Sequence, residues 1–124
     1  MEKKVLRIGI FALGFLLLTV SCSRPPSDDV IRAAITEHLK REVPISWSGS
    51  LMGGKDARIE LIEIQQIGKF NDQGKYWPVK ARVKGTCQAD FLFATETRAF
   101  DRVGDFKLYQ DDYENWKASI ETMQ

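Results

Sequence analysis

The stretch Val79-Lys80-Ala81-Arg82-Val83-Lys84-Gly85-Thr86-Cys87-Gln88-Ala89 decides the fold. Its apolar residues fall on odd positions, and Lys80, Arg82, Lys84 and Gln88 fall between them. A period of two sends these sets to opposite faces of a β-strand, one buried and one wet. Gly85 interrupts the row and marks a bend or bulge. Just upstream, Asn71-Asp72-Gln73-Gly74 has the composition of a hairpin turn, with Gly74 suited to a left-handed backbone. Before that turn, Ala57 to Phe70 is rich in isoleucine, but Ile59 and Leu61 share one parity while Ile62 and Ile64 share the other. A bulge near Leu61-Ile62 reconciles them. Downstream, Phe91 and Phe93 keep the buried parity. Thr95 to Gln110 then predicts a third strand and, with a kink at Gly104, a fourth.

Helical signals flank these strands. Ser27 is suited to an N-cap, Asp28 and Asp29 to the positive end of a helix, and Ile31, Ile35 and Leu39 repeat at i, i+4, i+8. The spacing predicts a helix over 27–42, closed by Lys40, Arg41 and Pro44. Val43 to Asp56, with Pro44, Gly49, Gly53 and Gly54, reads as a loop. Asp111-Asp112-Tyr113-Glu114 has capping-box spacing, and Tyr113, Trp116 and Ile120 follow at i, i+3, i+7, which predicts a short C-terminal helix. The expected class is α+β: an N-terminal helix packed on a curved antiparallel sheet of three to four strands, with a short C-terminal helix. Over residues 27 to 121 this order resembles the cystatin-like and NTF2-like scaffolds of small exported bacterial proteins. Such scaffolds host enzymes, inhibitors and binding modules alike, so the resemblance implies no activity.

The chain has 124 residues, and the first 21 are organised differently from the rest. Lys3, Lys4 and Arg7 precede an uncharged run from Ile8 to Val20, too short for a comfortable bilayer span and ended by small residues. That is the order of a cleavable secretory signal. It leaves 22–26 as a proline-stiffened tether and 27–124 as one domain. The whole chain carries a net charge of +1, which becomes −1 once the leader's Lys3, Lys4, Arg7 and Glu2 are set aside. That balance does not mark a nucleic-acid binder.

Leu18-Thr19-Val20-Ser21-Cys22 resembles the lipobox of bacterial lipoproteins, with Thr19 where leucine is typical. The resemblance implies acylation of Cys22, which becomes the new N-terminus and holds the protein on a membrane. Ser23 in place of aspartate implies the outer membrane, facing the periplasm, or the cell-surface membrane in an organism without an outer one. Acylation of Cys22 leaves Cys87 without a disulfide partner, and its parity with Val83 and Ala89 makes it a buried structural thiol. An ordinary secretory signal with Cys22 as a free thiol is the other reading of the same residues.

No catalytic pattern stands out behind the leader. His38 is the single histidine and lies beside the helix stripe, a boundary position that leaves a zinc or dyad site little to work with. Asp105, Asp111, Asp112 and Glu114 lack the spacing of a calcium loop, and Gly53-Gly54-Lys55 lacks that of a phosphate loop. No metal and no cofactor are expected. Lys80, Arg82 and Lys84 form a cationic stripe along one strand face. Such a stripe protects a solvated strand or contacts an anionic partner such as a phospholipid surface or an acidic envelope polymer. Trp47, Tyr76 and Trp77 are either core rim or an exposed contact patch. The expectation is a non-catalytic binding or envelope-assembly module, its partners a membrane through Cys22 and an envelope protein or anionic surface. The alternative is a small-molecule binder or NTF2-like enzyme with a cavity between helix and sheet, drawing on Tyr76 or Tyr109 with Asp90 or Asp101.

Overall fold

Ser27 starts the fold as the spacing implies. Its hydroxyl accepts a hydrogen bond from the Val30 N–H at 3.4 Å, and helix α1 runs Asp28–Arg41. The computed structural model describes residues 24–121, so the leader and Cys22 lie outside the described residues. After α1 come a one-turn helix α2 (Ile45–Ser48) and four strands, β1 (Gly54–Ile67), β2 (Trp77–Asp90), β3 (Thr95–Gln110) and β4 (Trp116–Ile120). The strands form one antiparallel sheet in the order β1-β2-β3-β4. Helix α1 packs against both β1 and β4, which lie at opposite edges, so the sheet curls around it. The α+β class with a helix on a curved sheet is therefore observed. Among the described residues no helix is long and apolar enough to cross a membrane.

The core lies inside the curl. Ile31, Ile35 and Leu39 of α1 meet Val79, Ala81 and Val83 of β2 and Phe106 and Leu108 of β3, each at most 2% exposed. Trp47 and Trp77 are also buried, so both belong to the core rim. Trp47 lies 5.4 Å from the Phe100 ring, and Trp77 5.3 Å from that of Phe70. Strand β1 changes register at three places, one of them between Ile59 and Leu61 beside the expected bulge. Gly85 sits across from that region. A Cβ there would lie 2.2 Å from the Arg58 carbonyl oxygen, so only glycine lets β1 and β2 approach this closely.

Four expectations are corrected. The C-terminal segment is strand β4 and not a helix, and the short helix lies instead at Ile45–Ser48, within the expected loop. Asp111 does cap, but it caps a turn: its Oδ1 accepts from the N–H groups of Tyr113 and Asn115, and Glu114 takes a left-handed φ of 64°. That reverses the chain, and Trp116–Ile120 gains more by pairing with β3 than a five-residue helix gains alone. Second, Lys75 takes the left-handed φ of 57° in the first hairpin, not Gly74, whose N–H is held by the Asn71 side chain at 2.7 Å. Third, Gly104 makes no kink. β3 runs through it, and its bare Cα leaves room for Trp47, whose Cζ2 would lie 2.9 Å from a Cβ. Fourth, β2 stops at Asp90, so Phe91 and Phe93 do not extend the buried row, and Phe93 is 96% exposed.

Candidate functional site

The departure of Phe91 from the strand, past the end of β2, opens the most unusual surface of the domain. Phe91-Leu92-Phe93-Ala94 closes the β2–β3 hairpin, with the Phe91 N–H bonded to the Ala94 carbonyl at 2.7 Å. Leu92 and Phe93 occupy the two central positions, which in tight hairpins usually hold glycine, asparagine or aspartate. Leu92 is 79% exposed. A second loop stands beside this turn. Gly49 ends α2 in the left-handed conformation, and the chain turns through Ser50 to Gly53, raising Leu51 and Met52 into solvent.

Buried polar groups fasten the two loops together. The Ser50 hydroxyl donates to the Asp90 carbonyl and accepts from the Met52 N–H at 3.2 Å, while the Asp90 N–H donates to the Gly53 carbonyl at 3.2 Å. Ser50 is 2% exposed, so this fastening is shielded from water and is correspondingly costly to break. Between Gly49–Met52 and Phe91–Ala94 lies an apolar groove of about 550 Å³. Each large apolar side chain left in water forgoes about 1.5–3 kcal/mol of burial. Leu51, Met52, Leu92 and Phe93 together line this groove on fastened loops while remaining exposed.

The cationic stripe lies where its alternation places it. Lys80, Arg82 and Lys84 share the outer face of β2, but acids interleave with them: Asp105 stands opposite Lys80, Asp101 opposite Lys84, and Glu63 opposite Arg82. Arg82 donates two hydrogen bonds to Asp101, at 2.9 and 2.7 Å. That pairing holds the Asp101 carboxyl below its usual range and raises the Arg82 guanidinium. Beyond the stripe, the same face also carries Lys55, Arg58, Lys107 and Lys117 by register, so cations outnumber acids there.

The residues considered for acid–base chemistry are scattered. Asp90 accepts from the Thr95 hydroxyl at the apolar end, and Asp101 is ion-paired on the outer face. Tyr109 lines a groove with Trp116 and Arg24 at the other end, and the Tyr76 hydroxyl is bonded to Asn71 beneath Lys107. The space between α1 and the sheet holds the core side chains named above. His38 is half-buried, and its Nε2 lacks a hydrogen-bond partner. Burial lowers its pKa, while Glu42 raises it and Arg41 lowers it further. Cys87 is a buried free thiol whose pKa burial raises, as a structural cysteine requires. Among the described residues no group of three His, Cys, Asp or Glu is placed to hold a metal.

No protein-family model, no curated protein and no solved structure matches the chain. Its residues and their geometry therefore carry the functional reading. Sequence reasoning missed Leu51, Met52, Leu92 and Phe93 as a surface. The available signal was an apolar pair at each of two turn positions, Leu51-Met52 ahead of Gly53-Gly54 and Leu92-Phe93 within Phe91–Ala94.

Proposed function

We propose that the chain is a membrane-anchored bacterial lipoprotein, held by acylated Cys22 on the periplasmic face of the outer membrane, whose domain is a non-catalytic binding and envelope-assembly module. The single observation that carries the binding role is the fastened apolar cluster of Leu51, Met52, Leu92 and Phe93. Its position supports the reading. Arg24, two residues after Cys22, lines a groove with Phe70, Trp77 and Gln110 at the start of β2, whereas the cluster lies past its end. Fourteen extended residues separate the two ends by about 45 Å. An anchor at one end leaves the contact surface at the other unobstructed.

Two measurements test the two parts. Cys22→Ala is expected to release the protein from membranes and abolish acyl labelling; undiminished membrane retention and labelling overturn the anchor. A photo-cross-linking residue at position 51 in the full chain is expected to capture a protein chain in intact cells. The double substitution Leu92→Ser, Phe93→Ser should abolish that capture while the domain keeps its melting temperature. Capture that survives this loss, or no capture at all, overturns the apolar end as a contact surface.

A further inference from the structure

The same end of the molecule carries an unpaired strand edge. Among the described residues β4 covers β3 only over Phe106–Gln110, and the Glu121 N–H donates to the Asp105 carbonyl at 3.0 Å, so the backbone of Asp105 faces the β4 side. Backbone direction alternates along an antiparallel strand. The β2–β3 register runs unbroken from Trp77↔Leu108 to Asp90↔Thr95, so Val103, Asp101, Ala99, Thr97 and Thr95 face outward too. Among the described residues their outward N–H and C=O groups bond to nothing. The other long edge is protected: β1 has three register breaks, Val43 bridges to Gly54, and α1 packs against it. The β3 edge has neither bulge nor proline.

We propose that this edge pairs antiparallel with the same edge of a second copy, about a two-fold axis at Ala99. The inference rests on the contact surface proposed above and names its partner. Charge disfavours the two neighbouring registers, and Glu96, ion-paired to Arg98 in the single copy, exchanges that partner for Arg102 of the second copy. With Ala99 opposite Ala99, the close non-hydrogen-bonded pairs are Glu96 with Arg102 and Arg98 with Phe100, on both sides of the axis. The outward residues pair as Thr97 with Asp101 and Thr95 with Val103, giving about ten backbone hydrogen bonds. Moving the axis to Arg98 sets Arg98 against itself, and moving it to Phe100 sets Arg98 against Arg102. Either shift places like charges directly opposite, which is destabilising. In the favoured register Phe93 falls opposite Asp105 of the second copy, where Glu121 already ends β4. The exposed Leu92 and Phe93 thereby abut the end of the second copy's β4 and its half-buried Ile120.

A two-fold axis normal to the sheet sends the two Arg24 ends in opposite directions. Both anchors reach one bilayer only when the sheet lies along it, and the cation-rich outer face with Lys80, Arg82 and Lys84 is the one suited to anionic lipid. Confinement to that surface raises the effective concentration for so narrow an interface.

The test uses the full chain in its membrane. Ala99→Cys should give a disulfide-linked dimer on mild oxidation, because residues facing across the axis fall within disulfide reach. Its yield should exceed several-fold that of the unsubstituted chain and of Val103→Cys, whose copies lie eight positions apart. Equal yields from both cysteines, or none from Ala99→Cys, overturn the dimer. In the Ala99→Cys background, Glu96→Arg and Arg102→Glu should each lower the yield and their combination should restore it; no restoration overturns the register. If Ala99→Cys fails while position 51 still captures another envelope protein, the second copy is wrong and the contact surface stands. If Ala99→Cys links while position 51 captures nothing, the edge dimer stands and the apolar cluster is not a contact surface; failure of both overturns both.

Discussion

The two halves of β3 share one alternation and meet different fates. In the lower half, Phe106 and Leu108 sit at the Trp77 end of the ribbon, between β2 and β4 and beneath α1, and are at most 1% exposed. In the upper half, Arg102, Arg98 and Glu96 occupy the same side of the strand, yet all three are exposed. Parity decides which side a residue takes, but burial needs something to lie against that side. The lower half has a helix and a neighbouring strand. Among the described residues the upper half has β2 along one edge and, on this side, Trp47 of α2 against Phe100, and beyond Trp47's reach it carries Arg102, Arg98 and Glu96 where the lower half carries hydrocarbon.

The strongest way to break this contrast is to truncate a phenylalanine in each region. Phe106→Ala should cost about 3–5 kcal/mol of unfolding free energy in a denaturant titration, because it empties a filled core position. Phe93→Ala, at the exposed tip, should stay within about 0.5 kcal/mol of the parent. Comparable losses at both sites would mean that the tip is packed and the contrast is wrong.

Gly85 tests the close approach that seats β2 against β1. Gly85→Ala should destabilise by about 1–3 kcal/mol, since its methyl group would meet the Arg58 carbonyl and the bulged strand must move. Ser50→Ala sharpens the contrast further, because it unfastens Leu51 and Met52 from the end of β2. The expected loss is about 1 kcal/mol, with faster amide hydrogen exchange at Met52 and Asp90 than in the lower half of the sheet. Unchanged exchange there would show that the loop is held by other contacts.

The smallest expected effect is a pH dependence in the lower half. Burial lowers the pKa of His38 from 6.5, so the unfolded chain binds its proton first as pH falls. Its contribution to stability is fully present above 6.5 and is lost as pH falls from there through the depressed folded value. His38→Gln should flatten the stability profile between neutral and mildly acid pH. An unchanged slope would place the dependence on other groups.

Much of the fold was legible because local signals agreed with one another. Ser27, the acidic first turn and the Ile31/Ile35/Leu39 stripe placed α1, and Val79 to Ala89 placed β2 with its buried face. The errors occurred where two local periods fitted the same residues. Trp116, Ala118 and Ile120 satisfy an alternating pattern, and Tyr113, Trp116 and Ile120 a helical one; the free edge of lower β3 decided for the strand. Phe91 and Phe93 kept strand parity, but a turn at Leu92-Phe93 carried them out of it. Alternation says nothing about where a chain reverses unless turn residues mark the place, and Leu92-Phe93 is not a usual turn pair.

Local spacing alone marked out the helix, the central strand and the cationic side of the sheet, and it carried the expectation of a leader and the resemblance at Cys22. Each depends on residues within a few positions of one another, where spacing translates directly into geometry. Long-range packing settled that Leu51 and Met52 meet Leu92 and Phe93, that core side chains lie between α1 and the sheet, and that among the described residues upper β3 presents a bare edge. Those are contacts between segments some forty residues apart, or the lack of a neighbour, and no local period encodes either.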